Sequence, residues 1–280
     1  MKSAQGVRFV TNRIHCVHFP NMHPVFITLF GRPIAWYGVM AAVGFGVAAV
    51  YWSIQARRQG RPCGFGSDLA VWLMAGGLLG ARAAYVLANW DRYLAAPEEI
   101  VRIDQGGLIY YGGFIGGIAA CILFARVRRL PVWATGDFAI IGLPLAHAFG
   151  RVGCFLNGCC YGRETTSACS VLLDGVRRQP VQLYESAMNL LVFALLCVYR
   201  SRNRRAGTGL ALYLTTYPVG RFFLEFLRGD PRLAGPGFNV SQLLSLGWFL
   251  VGLALWAGLP SAKGLSKTGS KPASVRSSAA

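Results

Sequence analysis

The feature that most limits this chain is a series of apolar runs, each close to the length that crosses a bilayer. They lie at 34–55, 67–88, 107–125, 134–152, 183–199, 209–228 and 241–259. About twenty apolar residues span the hydrocarbon layer as a helix. Lipid cannot hydrogen-bond the backbone, so an open-ended segment at that depth must be helical. The chain is 54% hydrophobic and 14% charged, with a mean hydropathy of +0.43. A soluble protein this apolar lacks the polar surface to cover its core. The expected fold is therefore an all-α integral membrane protein, a bundle of about seven transmembrane helices. Asp68, Asp137 and Ser241 stand near segment starts, where a side-chain oxygen can cap free amides.

The formal charge of +17 does not indicate nucleic acid, because the basic residues fall in short clusters between apolar runs. Arg57, Arg58 and Arg61 follow the first run, Arg126, Arg128 and Arg129 the third, and Arg200, Arg202, Arg204 and Arg205 the fifth. The tail adds Lys263, Lys267, Lys271 and Arg276. The alternate connections mix signs, with Asp91, Glu98, Glu99, Asp104, Glu164 and Asp174. Positive charge stays inside. This predicts a cytoplasmic C-terminus, an N-terminus outside, and mixed-sign loops on the outer face.

Residues 1–21 place Lys2, Arg8 and Arg13 on the side that should be poor in positive charge. They are expected to be a disordered or non-native extension, with translation starting at Met22. A single domain is expected over 22–260. Residues 261–280, rich in Ser, Lys, Gly and Ala, are expected to form a disordered basic tail.

Ionisable residues inside apolar runs are costly unless paired or wetted, and so mark candidate sites. Arg82, Glu185, Arg221 and Glu225 qualify, with Arg151 at a segment end. Tyr217, Arg221, Glu225 and Arg228 recur at steps of four, four and three, which puts them on one helical face. Arg221 and Glu225 can pair there, as a site or as a structural lock of register. Arg151 lies among Gly150, Gly153, Gly158 and Gly162. Such a turn can cradle an anion, with the planar guanidinium suited to phosphate or carboxylate; the alternative is a turn whose Arg snorkels to the headgroups. His147 is either a titrating group or a helix-end hydrogen-bonding residue. Eight cysteines lie at 16, 63, 121, 154, 159, 160, 169 and 197. Cys154, Cys159 and Cys160 are spaced C-x4-C-C without the second ligand pair of a zinc module, so no metal site is expected.

The stretch GRVGCFLNGCCYGRE, from Gly150, resembles the signature of the prolipoprotein diacylglyceryl transferase family, Gly-Arg-x-Gly-Asn-Phe-x-Asn-Gly-Glu-x-x-Gly. Gly150, Arg151, Gly153, Phe155, Asn157, Gly158 and Gly162 match; Cys154 stands at the usual Asn and Cys159 at the usual Glu. YPVGRFFLEFLR, from Tyr217, is similar to the family's Tyr-x3-Arg-x3-Glu-x2-Arg stretch. GARAAYVLANW from Gly80, QPVQLYES from Gln179 and MHPVFITLFG from Met22 also resemble family segments. GGLIYYGGFIGG, from Gly106, is similar to Gly-Gly-x-x-x-His-Gly-Gly, with Tyr111 in place of His.

The resemblance implies transfer of the diacylglyceryl group of phosphatidylglycerol to the lipobox cysteine of a bacterial prolipoprotein. A thioether forms and glycerol phosphate leaves, without a cofactor. It further implies a bacterial inner-membrane protein whose site faces the periplasm. Arg221, Glu225 and Tyr111 are the expected catalytic residues. Arg151, Arg82, Tyr217, Asn157, Gly106 and Gly112 are expected to hold phosphatidylglycerol. Tyr111 is a poor base near neutrality, since a free phenol titrates near about 10. An anion transporter or channel using the same Arg/Glu face is the alternative, though no internal repeat supports it. A thiol-based redox or acyl-transfer protein using Cys159 and Cys160 is another.

Overall fold

The computed structural model describes residues 24–29, 31–102, 106–167, 169–173, 175–202, 205–229 and 238–259. The expected extension at 1–21 and tail at 261–280 lie outside them. An antiparallel hairpin of β1 (Val25–Leu29) and β2 (Arg32–Ala35) leads into α1 (Trp36–Arg58) and α2 (Phe65–Ala88). A short α3 (Trp90–Ala95) and a 3₁₀ turn (Pro97–Val101) precede α4 (Tyr110–Val127) and α5 (Val132–Leu156). A second hairpin, β3 (Val171–Leu173) with β4 (Val176–Arg178), leads to α6 (Val181–Arg202), α7 (Thr208–Glu225) and α8 (Val240–Gly258). The two hairpins qualify the all-α expectation; they lead into α1 and α6, and Phe26 of β1 packs edge-on against Trp36 of α1 with centroids 4.6 Å apart.

Six helices, α1, α2, α4, α5, α6 and α8, are long and apolar enough to cross a membrane. Among the described residues α7 falls outside this set, although its 18 residues match α4 in length. The reason is composition: Thr208, Tyr213, Thr215, Thr216, Tyr217, Arg221 and Glu225 all lie on it. The bundle turns large apolar side chains outward, including Leu79, Leu191 and Leu250. Lipid suits that exterior, whereas water would not.

α5 is the spine. Its Phe138 and Ala139 pack with Ala48 and Trp52 of α1, Leu69 of α2 and Phe124 of α4. Its Ile140 and Ile141 pack with Val192 and Leu196 of α6 and with Tyr213 and Leu214 of α7. The α2–α4 seam is built on small residues. A Cβ on Gly76 would sit 2.7 Å from the Gly116 carbonyl oxygen, and one on Gly116 would sit 2.9 Å from the Gly80 Cα. Gly76-x3-Gly80 and Gly112-x3-Gly116 thus let two backbones touch, the main route to tight packing where lipid removes the hydrophobic drive.

None of the three residues expected to cap a segment start caps its own helix. Asp137 is fully buried, and its carboxylate accepts the amides of Gly207 at 2.7 Å and Leu210 at 2.8 Å. It therefore caps α7 rather than its own helix. At α8 the cap is Asn239, not Ser241: Gln242 N donates to Asn239 Oδ1 at 3.0 Å, and Asn239 N donates to Gln242 Oε1 at 3.1 Å. That is a capping box. Asp68, in the first turn of α2, pairs with Arg128 beyond the end of α4.

Candidate active site

Three helices bring charge to one end of the bundle. α5 presents His147 and Arg151 one turn apart, α6 presents Glu185 in its second turn, and α7 presents Tyr217, Arg221 and Glu225 in its last two turns. Ser186 Oγ, beside Glu185, donates to the Ala148 carbonyl at 2.9 Å and fixes α6 against α5. Glu185 is wholly buried, and its Oε1 is the hub. Arg151 Nη2 lies 3.0 Å away, the Tyr217 hydroxyl donates at 3.3 Å, Arg221 Nε is at 3.8 Å and His147 Nε2 at 3.9 Å. Arg221 Nη2 also meets Glu225 Oε2 at 2.5 Å, and Asn239 Nδ2 donates to Glu225 Oε1 at 2.9 Å.

Two guanidiniums and two carboxylates thus balance formally, which makes burial of all four tolerable. Both arginines face one central point from different helices. That is the arrangement needed to receive an anion whose charge grows during reaction. The His147 ring lies between Tyr217 and Tyr110, with centroids 5.6 and 6.3 Å away.

The other expected site residues have separate surroundings. All five N–H groups of Arg82 are engaged by backbone carbonyls: Ile100 at 2.8 Å, Gly106 at 3.0 Å, Gly107 at 3.1 Å, Glu99 at 2.6 Å and Arg102 at 3.3 Å. It is the clamp of the α3–α4 connection, and Gly106, at φ 83°, is part of what it clamps. Gly112 lies in the α2–α4 seam. Tyr111 is 44% exposed and stacks edge-on with Tyr110. Asn157 closes the C-terminus of α5. Arg228 does not continue the α7 face as the spacing predicts. The helix ends at Glu225 and Arg228 pairs instead with Gly162 in a β-bridge, supported by Arg163 N donating to the Leu227 carbonyl at 2.8 Å. This strap ties the loop after α5 to the exit of α7.

At the foot of α5 the thiols of Cys154, Cys159 and Cys160 converge, all three Sγ atoms within 4.8 Å of one another. Hydrogen bonds from Cys154 and Cys159, and from Arg228, hold the Cys160 thiol below the ordinary thiol range. A cavity of about 740 Å³ lies at the opposite end, lined by Tyr51, Arg58, Phe138, Cys197 and Arg200.

Residues 24–258 match the family model for prolipoprotein diacylglyceryl transferase. The chain belongs to that family. It is 35% identical over 225 residues to the phosphatidylglycerol–prolipoprotein diacylglyceryl transferase of Clostridioides difficile (strain 630), covering 80% of this chain and 90% of that one. It is 36% identical over 254 residues to the enzyme of the same name from Trichormus variabilis, covering 84% and 89%. A Clostridium perfringens relative, phosphatidylglycerol–prolipoprotein diacylglyceryl transferase 2, is 32% identical over 254 residues, covering 87% and 97%.

The geometry brings together Arg151, Arg221, Glu225 and Tyr217, all expected site residues, and adds Glu185, which the sequence marks as ionisable inside an apolar run but to which no role was given. The signal was present, since Glu185 is a carboxylate inside an apolar run. What it lacked was a local partner: Arg151, Tyr217 and Arg221 reach it only through the fold. Asn239 gave no signal of its own, being one more polar residue at a helix start.

Proposed function

We infer that this chain transfers the diacylglyceryl group of phosphatidylglycerol to the lipobox cysteine of a bacterial prolipoprotein. The carrying observation is the buried convergence of Arg151 and Arg221 on Glu185. The precursor's thiolate sulfur attacks the glycerol carbon that bears the phosphate ester. A carbon–sulfur bond forms, the carbon–oxygen bond breaks, and its electron pair leaves on glycerol phosphate. Arg151 and Arg221 neutralise that developing charge, with Glu185 holding both guanidiniums in position beforehand. Tyr217 steadies Glu185, and Asn157 lies at the turn where the headgroup enters.

The thiol must lose its proton to attack. His147 is the proton acceptor in this reading, because its Nε2 lies 3.9 Å from Glu185 Oε1 and its ring sits inside the cluster between Tyr217 and Tyr110. Glu225 orients Arg221 and supplies a second carboxylate. Tyr111, on the outer turn of α4, contacts the incoming precursor rather than taking its proton. Arg82, Gly106 and Gly112 build the wall of the phosphatidylglycerol site without touching the headgroup. The N-terminus lies outside, the C-terminus in the cytoplasm, and seven helices cross the bacterial inner membrane. The charge cluster then opens toward the periplasm, opposite the arginine-rich loops.

The test is transfer by the purified chain in phosphatidylglycerol micelles with a lipobox peptide, read as the mass of a diacylglyceryl group on the cysteine. Phosphatidylethanolamine serves as the control donor. Folded protein that leaves the peptide unmodified overturns the assignment.

A further inference from the structure

We propose that Cys154, Cys159 and Cys160 form a binding site for a thiophilic d10 cation of the zinc(II) or copper(I) class. Their sulfurs come from two local segments. Cys154 is buried on the last turn of α5, while Cys159 and Cys160 follow its C-cap. The turn is folded back on itself: Cys159 N donates to the Cys154 carbonyl at 3.1 Å, and Gln182 Nε2 donates to the Cys159 carbonyl at 2.8 Å. Gly158 takes φ 69°, and Cys160 takes φ 62°, a region that non-glycine residues rarely occupy. Such a conformation persists where the surroundings over-determine it, and here it carries the third sulfur to the other two.

The spacing of the sulfurs fits an ion. Thiolates about 2.3 Å from a zinc-class centre sit about 4 Å from each other, and the three Sγ atoms lie within 4.8 Å. The donor set is all sulfur, which selects soft cations over magnesium or calcium. The three do not follow paired C-x2-C ligand spacing; a helix end and a left-handed residue supply their convergence. Three thiolates around a divalent ion carry one net negative charge. Arg151 Nη1, 3.8 Å from Cys154 Sγ, lies where it offsets that charge.

The site is tested without reference to lipid transfer. Reduced protein in detergent, freed of reductant under anaerobic conditions, is titrated with Cd²⁺ and the sulfur-to-metal charge-transfer band is followed; Zn²⁺ is then used to displace it. Saturation at one ion per chain is expected, with Cys154→Ser, Cys159→Ser and Cys160→Ser each weakening binding by about 10–100-fold or more. A second readout needs no variant. Zn²⁺ should protect Cys154, Cys159 and Cys160 of the wild-type chain from alkylation, while the exposed Cys63 and Cys169 stay reactive. Failure to saturate, equal protection at Cys63 and Cys169, or a disulfide joining two of the three in protein isolated without reductant would overturn the proposal.

Discussion

Replacing Glu185 by Gln keeps its size and one acceptor oxygen but removes the charge at the hub. In the wild-type chain the carboxylate faces Arg151 at 3.0 Å and Arg221 at 3.8 Å. At an effective dielectric of about 20, each contact is worth roughly 4–6 kcal/mol of gross attraction. Burying the carboxylate consumes several kcal/mol of that, and Gln avoids this term. Arg221 retains Glu225, but Arg151 loses its carboxylate partner while remaining inside the bundle. The net loss is about 3–5 kcal/mol, the usual penalty for stranding one partner of a buried pair. That corresponds to a fall in melting temperature on the order of 10 °C. Transfer should fall further than stability explains, because both guanidiniums lose the group that aims them: about 10²–10³ in rate at a temperature where the variant is folded. Thermal unfolding in detergent and the peptide-transfer assay measure the two effects separately. Glu185→Gln melting and turning over like wild type would refute the hub.

Arg151→Lys and Arg221→Lys should each lose about 10²–10³ of transfer rate with little change in melting temperature, since an ammonium keeps the charge but not the planar fork; wild-type turnover by either variant in the peptide assay would remove that residue from the clamp. Tyr111→Phe should keep most of its activity while His147→Gln loses it, as compared by initial rates of peptide modification at equal protein; the opposite ranking returns the proton-acceptor role to the phenol. Gly116→Val should separate α2 from α4, because its side chain would meet the Gly80 backbone, and lower the melting temperature by several degrees; an unshifted unfolding curve would show the seam to be loose. Asp137→Ala should uncap α7, destabilising the bundle by about 1–3 kcal/mol, which thermal unfolding reads directly.

Much of the architecture was visible in the sequence because lipid imposes strong local rules. The ends of α1, α2 and α8 fall within a few residues of their apolar runs, since hydrophobic length and helical length are the same quantity in a bilayer. Tyr217, Arg221 and Glu225 were legible as one face because a helix repeats every 3.6 residues. Arg228 was not, since nothing local marks the turn at Phe226 where the chain leaves the helix for the Gly162 bridge. Arg82 shows the other limit: its type and depth marked it as costly, but five carbonyls 17 to 25 residues downstream decide what it does. The glycines at 76, 80, 112 and 116 had helical spacing in plain view. Their meaning required knowing that α2 and α4 are neighbours. Asp137 was assigned to the start of its own helix because sequence distance is the only distance a reader of sequence has.

The cap that Asp137 supplies also bears on how the chain is made. α7 is the helix whose own composition gives it little reason to leave water, and its first amides are satisfied from α5 rather than from within. Its amino end is complete only when α5 lies beside it, so the chain must already have made and placed α5 before α7 can close its first turn, and the two helices form as one cooperative unit.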